Sequence, residues 1–140
     1  MVLVGLPGSG KSTYVKERPA LSSDEIRRLL SDDPDNQKIH ALVFKVLRAL
    51  LKVRLELKRP VTYIDATNLT PRERRPYIRM AKAHGYRIEA LFFDVPVEEC
   101  QRRNRRRHRV VPDAVIRRMS KRLVPPSVDE GFFKIRLHRK

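Results

Sequence analysis

A chain of 140 residues and 16.4 kDa has the length of a single domain spanning residues 1–140, enough to bury about two thirds of its unfolded surface and too short for a second catalytic module. Its 32 Lys and Arg against 16 Asp and Glu give a net charge of +16, which attracts polyanions such as nucleic acid, whereas a surface of paired charges would need more acids. No apolar run approaches the roughly 18 residues of a membrane span, no basic leader precedes the first apolar stretch, and the lone Cys100 excludes an internal disulfide framework; a cytoplasmic protein is the expectation.

Residues 1–4 form an apolar strand that runs directly into Gly5-Leu6-Pro7-Gly8-Ser9-Gly10-Lys11-Ser12-Thr13. This satisfies the phosphate-binding pattern G-x-x-x-x-G-K-[ST], and three of the chain's five glycines fall within it. Glycines let the loop curl so that successive N–H groups point at phosphate oxygens, and the following helix presents its positive end. The chain is therefore expected to bind a nucleoside triphosphate on Gly8, Ser9, Gly10, Lys11, Ser12 and Thr13, with Lys11 reaching the β- and γ-phosphates and Ser12 holding Mg²⁺.

The helix after the loop is expected over residues 11–17 and ends before Pro19. Residues 20–22 can form a second strand, and Ser23 is the expected N-cap of a helix over 24–30 with acids in its first turn. Turn chemistry follows in Asp32-Asp33-Pro34-Asp35-Asn36. Over 37–58 the apolar residues Ile39, Val43, Val46, Leu47, Leu50, Val53 and Leu57 recur at helical spacing, which predicts a long helix with one buried face. A strand over 61–64 delivers Asp65 at its C-terminal end. Thr70-Pro71-Arg72-Glu73 is a capping box that opens the next helix, with Gly85 at its end; Pro76 inside it predicts an irregular first turn or a kink. Residues 87–93 read as a strand, Val95-Pro96 starts a helix, another begins near Pro112 and ends before Val124-Pro125-Pro126, and residues 132–137 close as a strand. Strands separated by helices predict an α/β fold, a parallel sheet covered on both faces with the ligand site at the strands' C-terminal ends.

Several side chains near that rim carry chemistry. Asp24 can accept the proton of an attacking hydroxyl, or it can be a first-turn acid offsetting the helix dipole. Arg27, one turn onward on the same face, is placed to meet a phosphate. Asp65 has the placement of an acid that helps hold Mg²⁺, or is a turn residue at a strand end. Thr67 and Asn68 follow on the same loop and can position substrate through side-chain hydrogen bonds. Arg102-Arg103-Asn104-Arg105-Arg106-Arg107-His108-Arg109 is either a solvated basic patch or, in a phosphate-loop kinase, a lid whose arginine closes over the nucleotide. The four histidines, His40, His84, His108 and His138, show no metal-ligand spacing.

Taken in order, these motifs resemble the 5′-kinase domain of polynucleotide kinases, within the adenylate-kinase-like group of phosphate-loop kinases, over residues 2 to about 135. The matching pieces are the loop 5–13, Ser23-Asp24-x-x-Arg27, Asp65-Ala66-Thr67-Asn68, Phe93-Asp94-Val95-Pro96, Arg103-Asn104-x-x-Arg107 before Val111-Pro112, and Glu130-Gly131-Phe132. The resemblance implies a three-layer fold with a lid at about residues 100–112. It implies Asp24 as general base, Arg27 as a contact to the acceptor strand's phosphate, Lys11 and Ser12 on the donor phosphates and Mg²⁺, and Arg107, with Arg103 in the same lid, over the donor phosphate. Ala66 departs from the phage pattern and matches the animal-type Asp-x-Thr-Asn. The lid is also richer in arginine than the pattern, so that Arg105 or Arg106 could share the role of Arg107. No acidic phosphatase motif accompanies the kinase, so the expected activity lacks 3′-phosphate trimming.

The expected reaction is ATP- and Mg²⁺-dependent transfer of the γ-phosphoryl group to 5′-hydroxyl ends of DNA or RNA, a step of nucleic acid repair. A small-molecule hydroxyl kinase of the same fold and a nucleic-acid-binding NTPase without transfer are the alternatives.

Overall fold

The computed structural model describes residues 1–107 and 110–139. Five short strands, β1 (Val2–Val4), β2 (Ala20–Ser22), β3 (Tyr63–Asp65), β4 (Glu89–Phe93) and β5 (Lys134–His138), form one parallel sheet in the order β2-β3-β1-β4-β5. Chain order therefore reverses at the central strand. β2 and β3 lie on one side of β1, β4 and β5 on the other, and the loop after β1 opens into the crevice that such a reversal creates.

Period-two alternation sorts the strand residues between two layers. Val2, Val4, Ile64, Ala90 and Phe92 face one core, closed by α3 (His40–Glu56) and α4 (Pro71–Ala83). Leu3, Tyr63, Leu91 and Phe93 face the other, closed by α1 (Lys11–Tyr14) and the Val15 that follows it. A third cluster, Leu6, Leu69, Val95, Cys100 and Ile116, seats α5 (Val97–Asn104) and α6 (Asp113–Arg122) beyond the strand ends.

The expected elements are present, with differences that have local causes. α1 stops at Tyr14 rather than residue 17, because the chain tightens into turns closed by Arg18 N–H donating to the Val15 carbonyl before Pro19. The cap of α2 (Ser23–Ser31) is Ser22, whose Oγ accepts from the Glu25 N–H at 3.3 Å; Ser23 is the first helical residue. α3 buries Val43, Leu47, Leu51 and Leu55, a row spaced by four, and leaves Leu50, Val53 and Leu57 exposed. Its sequence holds two apolar stripes, and the sheet takes the one that runs along an i,i+4 ridge.

α4 is capped as expected, Thr70 Oγ1 accepting from the Glu73 N–H at 3.3 Å. The helix runs on through Pro76, which lacks the N–H that would reach the Arg72 carbonyl. It ends in a Schellman motif, with Gly85 at φ +74°, the Gly85 N–H on the Lys82 carbonyl and the Tyr86 N–H on the Ala81 carbonyl. β5 begins two residues later than the pattern suggests, since Phe132 turns inward to the core.

Candidate functional site

The rim of the sheet opens into a cavity of about 1380 Å³, walled on one side by residues 7–14 and on the other by Asp24, Arg27, His40 and α6, and lined as well by Arg103 and Arg107. The phosphate loop takes its shape from Gly8 and Gly10, at φ +83° and +104°, where other residues are strained. A side-chain carbon on Gly8 would also lie 2.4 Å from the Cys100 carbonyl oxygen. The loop is thus packed directly against the backbone of α5.

Lys11 is buried, and its Nζ donates to the Gly5 and Leu6 carbonyls at 2.9 and 2.8 Å. Burial lowers its pKa from the usual 10.5 to about 8, against the opposing pull of Asp65. Ser12 Oγ donates to Asp65 Oδ2 at 3.3 Å. Burial raises the Asp65 carboxyl above its ordinary value, and Lys11 partly offsets this. A hydroxyl and a carboxylate brought together beside a phosphate loop suit Mg²⁺, a hard cation that takes one or two protein oxygens and completes its shell with water and phosphate. Among the described residues no cluster of three or more His, Cys, Asp or Glu could hold a metal by itself.

The loop after β3 is pinned to the loop after β1. The Gly5 N–H donates to the Thr67 carbonyl at 3.1 Å, and Asn68, at φ +49°, turns its amide inward to donate to the carbonyls of Leu3 at 2.7 Å and Ala66 at 3.3 Å. Thr67 and Asp65 face the cavity; Asn68 is buried behind them and does not line it. Behind this loop Arg74 is fully buried. It makes two parallel 2.9 Å bonds to Glu130 and donates to the carbonyls of Asn68 and Val124, also at 2.9 Å. Glu130 lies in the short 3₁₀ turn Val128–Glu130, so one guanidinium holds the β3 loop, the end of α6 and the approach to β5 together. Nothing in the sequence marks Arg74 among so many arginines.

On the opposite wall, Arg27 is buried to 4 % exposure, and its Nη1 donates to Asp24 Oδ1 at 3.1 Å. Its Nη2 lies 3.4 Å from His40 Nδ1, and its Nε has no hydrogen-bond partner among the described residues. The Asp24 side chain keeps 46 % of its surface exposed toward the cavity. Aspartate and arginine three residues apart on α2 meet because that spacing puts them on one helical face.

In the basic run, Arg103 and Arg107 line the cavity, and Arg103 Nε also donates to Glu99 at 2.9 Å. Arg105 and Arg106 are exposed and do not line it, Arg105 being paired with Asp113. His108 and Arg109 lie outside the described residues. Asn104, fully buried, accepts from the Val111 N–H at 3.0 Å and donates back to the Val111 carbonyl, which ties the end of α5 to Val111. Asn104, Arg74 and His40 are the site-organising residues that sequence reasoning did not single out. Asn104 stood inside a quoted motif, and only its position between two arginines could have drawn attention to it.

A parallel sheet with this strand order, a phosphate loop after its central strand and helices on both faces define a phosphate-loop kinase fold. A family model described as AAA domain matches residues 1–126, and the chain belongs to that family. Over 87 % of its length it is similar, at 25 % identity and a TM-score of 0.71, to a chain of the Pnkp1/Rnl/Hen1 RNA repair complex, in agreement with the resemblance to polynucleotide kinases; this chain spans 42 % of that one. A gluconokinase from Sinorhizobium meliloti 1021 shares the fold at 17 % identity and a TM-score of 0.56, over 99 % of this chain and 80 % of its own. The Mycobacterium tuberculosis APS kinase CysC, solved with AMPPNP and APS, does so at 20 % identity and a TM-score of 0.56, over 75 % and 68 %. Among the described residues no helix is long and apolar enough to cross a membrane.

Proposed function

We propose that this protein transfers the γ-phosphoryl group of ATP to the 5′-hydroxyl end of a nucleic acid strand. The observation that carries this reading is the Asp24–Arg27 pair, 3.1 Å apart, in the wall facing the phosphate loop of one cavity. A hydroxyl held between the walls gives its proton to the Asp24 carboxylate while its oxygen bonds to the γ-phosphorus, and the bond from that phosphorus to the β-γ bridging oxygen breaks to release ADP. Arg27 binds the acceptor's own phosphate. Backbone N–H groups of residues 8–13 and the Lys11 ammonium hold the donor phosphates, and Arg107 with Arg103 closes over the transferring group. Mg²⁺ bound by Ser12 and Asp65 would neutralise charge on the donor phosphates.

The net charge of +16 and a buried arginine beside the candidate base favour an anionic acceptor over a neutral one. The gluconokinase and APS kinase likenesses make a small-molecule hydroxyl the second reading. Transfer from γ-labelled ATP to matched 5′-hydroxyl DNA and RNA strands, beside strands already bearing a 5′-phosphate, separates them. Label on the hydroxyl-ended strands alone is the expected result. ATP binding without labelled strands moves the assignment to a small acceptor, and nucleic-acid-stimulated hydrolysis without labelled product moves it to an NTPase.

A further inference from the structure

His40 plays no part in the proposed transfer, yet it stands in the same wall as Arg27. It is the first residue of α3, exposed toward the cavity, with its ring 4.8 Å from that of Phe44 one turn along the helix. Its Nδ1 meets Arg27 Nη2 at 3.4 Å. A guanidinium has only donors, so this contact is a hydrogen bond only when Nδ1 carries a lone pair and the proton sits on Nε2. The surroundings favour that neutral form: burial and then the Arg27 charge lower the pKa of His40, Arg122 lowers it further, and Glu73 opposes them. The charged groups around the ring are thus Arg27 and, through it, Asp24 from α2, Glu73 from α4 and Arg122 from α6.

The two grips on Arg27 differ in kind. Asp24 is three residues away on the same helix and moves with it. His40 belongs to another helix, thirteen residues on, and ties the guanidinium to α3. We propose that His40 is a positioning residue of the acceptor site, its unprotonated Nδ1 holding Arg27 in the orientation that receives the acceptor's phosphate. The inference rests on the reading of Arg27 as the acceptor contact. Because the Asp24–Arg27 bond lies within α2, loss of His40 costs acceptor binding rather than the chemical step.

The test compares His40→Ala and His40→Asn with the unaltered chain, reading kcat and KM for a 5′-hydroxyl oligonucleotide and for ATP. Asn is chosen because its Oδ1 occupies roughly the place of Nδ1 and accepts the same bond. His40→Ala is expected to raise the acceptor KM about 3- to 10-fold, the scale of one net hydrogen bond, with kcat and the ATP KM little changed. His40→Asn is expected to restore it. An unchanged acceptor KM in His40→Ala overturns the proposal, as does His40→Asn behaving like His40→Ala, which would leave only packing against Phe44. A second readout does not depend on the acceptor: ¹⁵N NMR of the His40 ring at about pH 8 should show the proton on Nε2, and Arg27→Met should shift the Nδ1 resonance. A proton on Nδ1, or an Nδ1 signal indifferent to Arg27, overturns the proposal even if no strand is labelled and the polynucleotide reading itself has failed.

Discussion

The phosphate-loop wall of the cavity is built from backbone, and the α2 wall from side chains. In the first, two glycines at positive φ, a carbonyl of α5 under Gly8 and carbonyls of Gly5 and Leu6 around Lys11 define the surface. In the second, three side chains from two helices, Asp24, Arg27 and His40, reach one another by hydrogen bonds. A backbone surface suits a constant ligand, because every phosphate oxygen asks for the same N–H donors. A side-chain surface changes with single substitutions, and one fold can thereby serve acceptors as different as a strand end and a small hydroxyl compound.

The contrast breaks most visibly at Asp24. On the proposed mechanism Asp24→Asn removes the base and keeps its size, so kcat for strand phosphorylation should fall about 10²- to 10⁴-fold while ATP affinity, measured by calorimetry, stays put. A variant that still transfers would remove Asp24 from the chemistry. The opposite wall should fail in the opposite way. Gly8→Ala forces a side chain into positive φ and against the Cys100 carbonyl, and should cost about 2–4 kcal/mol of stability in urea unfolding together with ATP binding. If it unfolds with the same midpoint, the close packing of loop on α5 is not a constraint.

Arg27→Ala should raise the acceptor KM about 10-fold or more, since it removes a charged contact, and leave the ATP KM alone; an unchanged acceptor KM would count against the placement. The smallest effect is the finest test of the backbone wall. Burial holds Lys11 at about 8 rather than 10.5, and bound phosphate favours its charged form. ATP affinity should therefore be full below about pH 8 and weaken as pH rises through that value, by up to about 10-fold per unit. Lys11→Met should bind weakly at every pH and lose the dependence; an affinity in the unaltered chain that is flat to pH 10 would place the lysine's titration elsewhere.

How far the site was legible follows the same division. The loop was readable because G-x-x-x-x-G-K-[ST] after an apolar strand uses residues whose backbone freedom is itself the function. Asp24 and Arg27 were readable as a pair because helical spacing places them on one face, although Ser22 rather than Ser23 proved to cap that helix. Asn68 was expected to face the substrate and instead fills the space behind the sheet's end; an amide on a loop offers no sign of the direction in which its hydrogen bonds will point. Leu50, Val53 and Leu57 were assigned to a buried face and lie exposed, because periodicity marks a stripe and cannot say which of two stripes meets the sheet.

Sequence by itself determined the order of strands and helices, the phosphate loop and the charge that draws polyanions, since each depends on local chain chemistry or on composition. Only the tertiary structure decided that Arg74 would be a buried clamp on Glu130, that Arg103 and Arg107 rather than Arg105 and Arg106 would border the cavity, and that His40 would reach Arg27. These pairings join residues 13 to 56 positions apart or depend on how a helix end is rotated. Among so many arginines, burial and geometry rather than residue type select the few that hold a partner or face a ligand.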